Sequence, residues 1–401
     1  MSLGDVIKTS LESLGGHQDV DSLVSDLRRA HAEGSDVVVD LSECQGVYPN
    51  GVAPAAAAVQ CFRDLGVRIS FSGSTDFIER VSLRNPIQPR SDTLASYDRL
   101  NTLWVFFDED DASLLASAFI KELQQRVDCQ DGVLQALEWC LFEVMDNVCQ
   151  HAGGEAGYAM SQLHYSSKRL AVCVADAGIG LHRSLASSQI HRPPTAFDAL
   201  SMAIQEGVTK DDRTNQGNGL FGLTQIVQQN GGTMAIRSGR GVLKWYGGGF
   251  SGGNGYPVMH QDHHGSWVDF QLDVSRPVSL AEALNYDPVD LQLEALEDDR
   301  TGLHSVRIAD YSGGTGTRRA AERFRHFVIN LLGRGAPRVY VDFAGVSVIS
   351  SSFADEVFGR LVADYGFLGF QQRFRVVNAN MTVASLIDVA VQKRLAQSAR
   401  G

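Results

Sequence analysis

Three polar side chains lie four residues apart in one segment: Glu143, Asn147 and His151 of "EVMDNVCQH". An α-helix turns about 100° per residue, so these positions form one stripe beside the apolar stripe of the same helix. A polar stripe on that border predicts a helix that lines a cleft. An ordinary row of surface side chains is the alternative, and the spacing alone leaves both open.

A carboxylate and two glycines follow at the end of the next predicted strands, in "DAGIG" (176–180). The Asp176 carboxylate can accept a hydrogen bond from an exocyclic amine. Gly178 and Gly180 carry no Cβ, which lets a flat ligand approach the backbone closely. This segment alone is weak evidence, because a simple loop has the same composition.

A second glycine-rich segment, "GNGLFG" (217–222), precedes a predicted helix. Its glycines expose backbone N–H groups to phosphate oxygens, and the start of a helix favours anions. Such runs also occur by chance. The order of the three segments, on a helix, at a strand end and at a loop-to-helix junction, is much more specific than any one of them.

In this order the segments resemble the nucleotide-binding boxes of the GHKL ATPase and kinase superfamily, over about residues 100–275. The resemblance implies ATP and Mg²⁺ as ligands, bound between the helices and sheet of a Bergerat-type α/β sandwich, with residues 181–216 as a lid. It implies that Glu143 orients or activates the attacking group, Asn147 coordinates Mg²⁺ and Asp176 reads adenine. The other residues implied at the nucleotide are His151, Gly178, Gly180, Gly217, Gly219, Leu220 and Gly222. Ser266 stands where the family usually has threonine after a glycine, a mild departure.

The surrounding elements predict a multidomain protein of α/β and α+β character. Helices and strands alternate at both ends of the chain, whereas the middle has two helices followed by a largely antiparallel sheet. We predict an α/β domain at 1–98, the GHKL-like domain at 99–276, an acidic linker at 277–303 and a second α/β domain at 304–401. A faint echo between "VVVDLSECQGVYPNGVA" and "VYVDFAGVSVISSSFADEV" predicts similar folds at the two ends.

The C-terminal segment "VDFAGVSVISSSFADEVFG" resembles STAS domains, the fold of anti-sigma-factor antagonists. The resemblance aligns Ser351 with the serine that a GHKL kinase phosphorylates. Two departures weaken this match, Ser350 in place of an aspartate and Phe353 in place of a glycine. Capping of the following helix by the serines at 350–352 is the alternative explanation. The N-terminal segment resembles the same fold more weakly and lacks the serine.

A histidine-rich segment, "HQDHHG" (260–265), offers His260, Asp262, His263 and His264 as metal ligands. It follows the glycine run "GGGFSGGNG", and neighbouring side chains of a loop seldom converge on one ion. A mobile insert is therefore the favoured explanation of residues 247–265.

The charge balance excludes bulk nucleic-acid binding, because 35 basic and 47 acidic residues give a net charge of −12. The six cysteines form no CxxC pair, which is typical of reduced, buried thiols. No signal peptide and no run of about 20 apolar residues are present, so we expect a cytoplasmic protein without membrane contact.

The combined expectation is a regulatory protein that binds ATP and Mg²⁺ and controls a protein–protein switch through STAS-like modules. ATP hydrolysis and phosphoryl transfer to a serine are both open. We expect protein partners, among them STAS-domain or regulator proteins, and allow for a homodimer. The alternative is a non-enzymatic, nucleotide-sensing scaffold that recruits partners through its STAS-like ends.

Overall fold

A computed structural model describes residues 6–151, 154–187, 191–208, 219–260, 264–285, 289–298, 302–311 and 313–398, without the side chains of His151, Leu291, Tyr311 and Ser398. The chain divides into two compact units. The first comprises Met1–Ile120, Ala136–Asp273 and Ala281–Asn285, and the second comprises Lys121–Gln135, Val274–Leu280 and Tyr286–Gly401. The sequence-predicted boundaries at 98, 277 and 303 stay predictions.

The N-terminal lobe, residues 6–81, is a small α/β layer. Its elements are β1 (Val6–Ser10), β2 (Ser13–Leu14), α1 (His17–Glu33), β3 (Asp36–Asp40), β4 (Gly46–Val47), α2 (Pro49–Asp64), β5 (Ile69–Ser72) and α3 (Asp76–Val81). Three strands form a parallel sheet in the order β1-β3-β5, and β2 pairs with β4. Helix α1 ends at Gly34, whose φ of 67° suits a glycine C-cap. A short helix, α4 (Ser91–Ser96), follows the lobe.

A seven-stranded antiparallel sheet forms the centre of the first unit. The elements are β6 (Trp104–Phe106), α5 (Glu109–Gln124), α6 (Val133–His151), β7 (Gly157–His164), β8 (Arg169–Asp176), α7 (Gly180–Ala186), α8 (Ala196–Ala203), α9 (Gly219–Asn230), β9 (Thr233–Ser238), β10 (Gly241–Tyr246), β11 (Gly249–Asn254) and β12 (Ser266–Asp273). The strand order is β11-β10-β9-β12-β8-β7-β6. The predicted order of two helices followed by an antiparallel sheet is therefore confirmed.

The glycine run at 247–265 is more regular than the sequence predicted. Residues 249–254 form β11, which pairs in register with β10. Gly247 and Gly248 turn the chain between these strands with φ values of 62° and 83°, and a two-residue turn of this kind joins hairpin strands when both residues have positive φ. Residues 249–254 are therefore a paired strand, and the mobility of the insert as a whole stays a prediction.

The two faces of the central sheet have different partners. We call the face that carries Val174, Asp176, Ser266 and Val268 the front face. The back face carries Tyr158, Met160, Cys173, Ala175 and Trp267, which share one hydrophobic core with the N-terminal lobe. Helix α2 joins the two, and twelve of its sixteen residues are buried. A helix that is apolar all round is typical of a fully enclosed position.

The C-terminal lobe, residues 304–398, lies in the second unit. Before it come α10 (Leu280–Leu284) and α11 (Leu291–Glu294). Its elements are β13 (His304–Arg307), α12 (Ile308–Tyr311), α13 (Arg318–Gly333), β14 (Val339–Asp342), α14 (Ser351–Ala354), a π-helical turn (Asp355–Gly359), α15 (Arg360–Arg373), β15 (Phe374–Val377) and α16 (Met381–Ser398). The parallel sheet has the order β13-β14-β15.

Both lobes have three parallel strands in sequence order, with long helices α1 and α2 in one and α13 and α14–α15 in the other at equivalent places. The predicted similarity of the two ends is therefore present in the topology. Across the residues described, no helix combines the length and the apolar character needed to cross a membrane.

Candidate functional site

The polar stripe of the sequence lies on α6 at the edge of a cleft. Glu143 and Asn147 are half-buried, whereas Val144 and Val148 next to them are buried. Asn147, Val144 and Val148 line a cavity of about 50 Å³ over the front face of the sheet. The backbone of α6 ends at His151, whose side chain lies outside the described residues.

The opposite wall of this cavity comes from the sheet and the two glycine segments. The lining residues on that side are Val174, Asp176, Gly180, Leu181, Ser184, Leu220, Ser266, Trp267 and Val268. Four of the predicted residues, Asn147, Asp176, Gly180 and Leu220, therefore line one cavity. Gly217 lies outside the described residues.

Asp176 is the buried acid of the cavity, with 6% of its surface exposed. Its Oδ1 accepts a hydrogen bond of 2.7 Å from the backbone N–H of Gly178. Burial raises the pKa of Asp176 to about 7, although the backbone N–H groups of Gly178 and Ser266 act in the opposite direction. Gly178, the first of the two predicted glycines of this segment, thus holds the carboxylate in place.

Gly180 begins α7 in a conformation that requires glycine. Its φ is +76°, and an added methyl group would lie 2.7 Å from His264 Cβ and 3.0 Å from Ser238 Oγ. Ser238 fastens the loop to the sheet, because its hydroxyl accepts a bond of 2.8 Å from Leu181 N–H and lies 2.9 Å from Ser266 Oγ. Sequence reasoning missed Ser238; the only signal was its place at the end of a strand.

Gly219 brings the α6 stripe and the second glycine segment together. An added methyl group on Gly219 would lie 2.5 Å from Glu143 Oε2 and 3.5 Å from Asn147 Nδ2. The start of α9, a helix of twelve residues, therefore faces both polar side chains.

Gly222 has a packing role. A methyl group there would lie 2.3 Å from Trp139 Cη2 and 2.6 Å from Leu284 Cδ2. The absence of a side chain lets α9 approach α6, so packing already accounts for this glycine. Its predicted contact with phosphate stays a prediction.

Glu143 also borders a more open cavity of about 260 Å³ between α5 and α6. Its lining residues are Glu109, Ala112, Ser113, Phe142, Glu143 and Asp146. Burial raises the pKa of Glu143, and the neighbouring Asp146 carboxylate adds to the effect. The Glu143 carboxylate is open to this cavity on one side and faces the start of α9 at Gly219 on the other. With its raised pKa, it is suited to accept a proton.

Of the four candidate metal ligands in the histidine-rich segment, the structure describes His260 and His264, and no cluster of three or more suitable side chains is found among the described residues. The ring of His260 packs against His31, with centroids 5.0 Å apart, and against Phe62. His264 lies beside Gly180 and Gly239. Asp262 and His263 lie outside the described residues.

In the C-terminal lobe, the three serines differ in role. Ser350 is the N-cap of α14, and its hydroxyl accepts a bond of 3.0 Å from Phe353 N–H. Ser350 Oγ also lies 2.9 Å from Ser352 Oγ. The capping explanation therefore holds for Ser350, whereas the Ser351 side chain is exposed.

Comparison with known proteins bears on the C-terminal lobe. Residues 320–384 match a family described as a STAS-like domain of unknown function (DUF4325), in agreement with the STAS-like resemblance of this segment. No curated protein matches the chain. The crystal structure of full-length ShkA in complex with AMPPNP aligns over 95% of this chain and 72% of that one at 13% identity. Its TM-score of 0.23 lies below that of a shared fold.

Proposed function

We propose that the first unit is a GHKL-type nucleotide-binding module that binds ATP with Mg²⁺ at the front-face cavity. The observation that carries the proposal is that Asn147 of α6 and Asp176 of β8, 29 positions apart, line one cavity with glycine backbone on its rim. The Asp176 carboxyl keeps an oxygen to accept a hydrogen bond from the adenine amine whether or not it is protonated.

The phosphate end of the nucleotide would lie toward the start of α9. The unpaired N–H groups of a helix start attract anions, and Gly219 leaves room there because it has no side chain. The residues fit Mg²⁺, since the Asn147 amide supplies a hard oxygen ligand to a metal that otherwise prefers phosphate oxygens and water. The metal would neutralise charge on the phosphates.

Glu143 would orient and deprotonate the attacking group. Its carboxylate lies beside Gly219, and the adjoining cavity between α5 and α6 gives water or a hydroxyl a route to it. A raised pKa makes the carboxylate a better base near neutral pH than an exposed glutamate.

The output of the module would be regulatory. The match to a STAS-like domain at 320–384 supports a role for the C-terminal lobe in recruiting a protein partner, itself a STAS-domain or regulator protein, and a homodimer is compatible with this scheme. The exposed Ser351 is the proposed phosphoryl acceptor if the chain is a serine kinase. Without a phosphoryl acceptor, the same site would act as an ATPase.

Calorimetric titration with ATP, with and without Mg²⁺, tests the nucleotide site. We expect Mg²⁺-dependent binding by the wild type and its loss in Asn147→Ala, with Gln150→Ala, an exposed position on the same helix, as the control. Glu143→Gln should bind ATP like the wild type and lose turnover. If the wild type binds no ATP, the non-enzymatic scaffold becomes the better explanation.

Phosphoprotein analysis after incubation with ATP separates the two reactions. A phosphorylated peptide containing residue 351, absent in Ser351→Ala, would identify a kinase acting on its own lobe. Phosphate release with no phosphoprotein would identify an ATPase.

A further inference from the structure

The C-terminal lobe contains a second cavity, of about 260 Å³, that is separate from the front-face cavity. Its polar wall is formed by Arg318, Ser351, Ser352, Asp355 and Lys393, and its apolar wall by Leu386, Val389 and Ala390. Two cationic side chains and two hydroxyl groups thus converge on one space. All are donors, and this is the donor set that binds oxyanions.

Asp355 and Glu356, the carboxylates at this cavity, each lie close to more than one cation. Asp355 receives two bonds of 2.8 Å from Arg394, which together with the other neighbouring cations lower its pKa. Glu356, 1% exposed, lies 3.0 Å from Arg360 Nε and 3.6 Å from Arg325 Nε. Both acids also lie close to Arg318, so four arginines and Lys393 are near two carboxylates and positive charge exceeds negative charge at this cavity.

Arg318 and Lys393 are exposed cations of this cavity, and both also interact with Asp355. The Arg318 guanidinium is 3.4 Å from Glu356 and 3.6 Å from Asp355, longer than the 2.7–2.9 Å or so of a charge-assisted hydrogen bond. Its side chain is 56% exposed. Lys393 is exposed, and its charge helps to lower the pKa of Asp355. Positive charge in excess of the two carboxylates is stabilised when an anion binds beside it.

We infer that this cavity is an oxyanion site for a phosphate-type group attached to an apolar moiety. Arg318 and Lys393 bind the charged oxygens, the Ser351 and Ser352 hydroxyls donate to them, and Leu386 with Val389 contact the apolar part. The π-helical turn at 355–359 that follows the serines is a feature often found at functional sites. The inference is independent of the proposed nucleotide chemistry, since it concerns the unphosphorylated chain without ATP.

Titration of the full chain with inorganic phosphate and with phenyl phosphate, in the absence of nucleotide, tests the site. We expect both to bind and phenyl phosphate to bind more tightly, because its ring covers the apolar wall. Lys393→Gln and Arg318→Gln should each weaken phosphate binding about tenfold or more, the usual effect of losing one charge-assisted hydrogen bond. Arg319→Gln, which removes the same charge from the next residue of α13, should bind like the wild type.

A second pair of variants locates the ligand. Val389→Thr keeps the shape of the side chain and should remove the preference for phenyl phosphate over phosphate. Asn147→Ala should leave phosphate binding unchanged. Loss of phosphate binding in Asn147→Ala and its retention in Lys393→Gln would assign the anion to the front-face cavity and overturn the inference, as would equal affinities in all the variants. Neither result would decide whether the chain binds ATP, because the titration with ATP tests that separately.

Discussion

Gly219→Ala is the substitution that best separates the geometry of the candidate site from the stability of the fold. The new methyl group would lie 2.5 Å from Glu143 Oε2, whereas an ordinary contact is at least 3.4 Å, so the carboxylate must move by about 1 Å. The contacted atom is the end of a flexible side chain and can move at little cost. Alanine is also a better helix residue than glycine, so stability should change by no more than about 1 kcal/mol.

The functional effect should be much larger than the effect on stability. A displacement of about 1 Å in a catalytic group costs about 10²-fold in rate. We therefore expect turnover of ATP by Gly219→Ala to fall about 100-fold, with a urea-unfolding midpoint near that of the wild type. The assay is phosphate release under saturating ATP, alongside denaturant unfolding of the same preparation.

Gly222→Ala is the matched control, three residues further along α9. Its methyl group would lie 2.3 Å from the half-buried Trp139 ring and 2.6 Å from Leu284 Cδ2, two bulky side chains that must both shift to make room for it. Overpacking of this kind costs about 1–3 kcal/mol of unfolding free energy. Wild-type turnover by a folded Gly219→Ala variant would refute the proposed role of Glu143 beside the reacting phosphate.

Three further predictions concern single groups. Burial raises the pKa of Asp176 to about 7 in the folded chain, against about 4 in an unfolded chain, so between these pH values the folded form keeps a proton that the unfolded form loses. The free energy of unfolding should therefore fall by up to about 4 kcal/mol as the pH rises from about 4 to 7. Urea unfolding at pH 5 and pH 8 should show less of this loss in Asp176→Asn, and an unchanged loss would argue against a buried acid. Asp21→Asn removes the carboxylate 2.9 Å from the buried Arg237 guanidinium and should cost about 1–3 kcal/mol, most of it restored by adding Arg237→Met; no recovery in the double variant would contradict this account. Ser350→Ala should lose about 1 kcal/mol with its helix cap, and Ser351→Ala less than about 0.5 kcal/mol; equal losses in thermal unfolding would show that both serines cap α14.

Periodicity in the sequence was sufficient to place the main elements of the site. The three polar positions on α6 are four apart, and helix geometry alone then puts Glu143 and Asn147 on one border of the apolar face. The order of strand and glycine segments likewise located Asp176 at a strand end and Gly219 at a helix start. These are local properties, and local sequence encodes them.

Contacts between distant segments could not be predicted in the same way. Ser238 fastens the Gly180 loop from 58 positions away, and nothing in its neighbourhood distinguishes it from any strand-end serine. Gly222 matched a phosphate-contacting motif, yet its most evident role in the structure is to make room for Trp139. A glycine motif in the sequence shows where a side chain is absent. It does not show which neighbouring group in the folded protein needs that space.

Helix α2 shows most clearly where sequence information ends. Its alanine-rich sequence by itself determined that this segment forms a helix of small apolar residues. The alternation of helices and strands around it determined an α/β lobe. Only the tertiary structure decided that this helix is enclosed on both sides, by the sheet of its own lobe and by the back face of the central sheet. The same is true of Asp269 on that face, whose pKa burial raises to about 7 beside Asn50. Hydrophobicity requires that an apolar surface be covered, but it has no direction, so the identity of the covering partner depends on shape that exists only after the chain has folded.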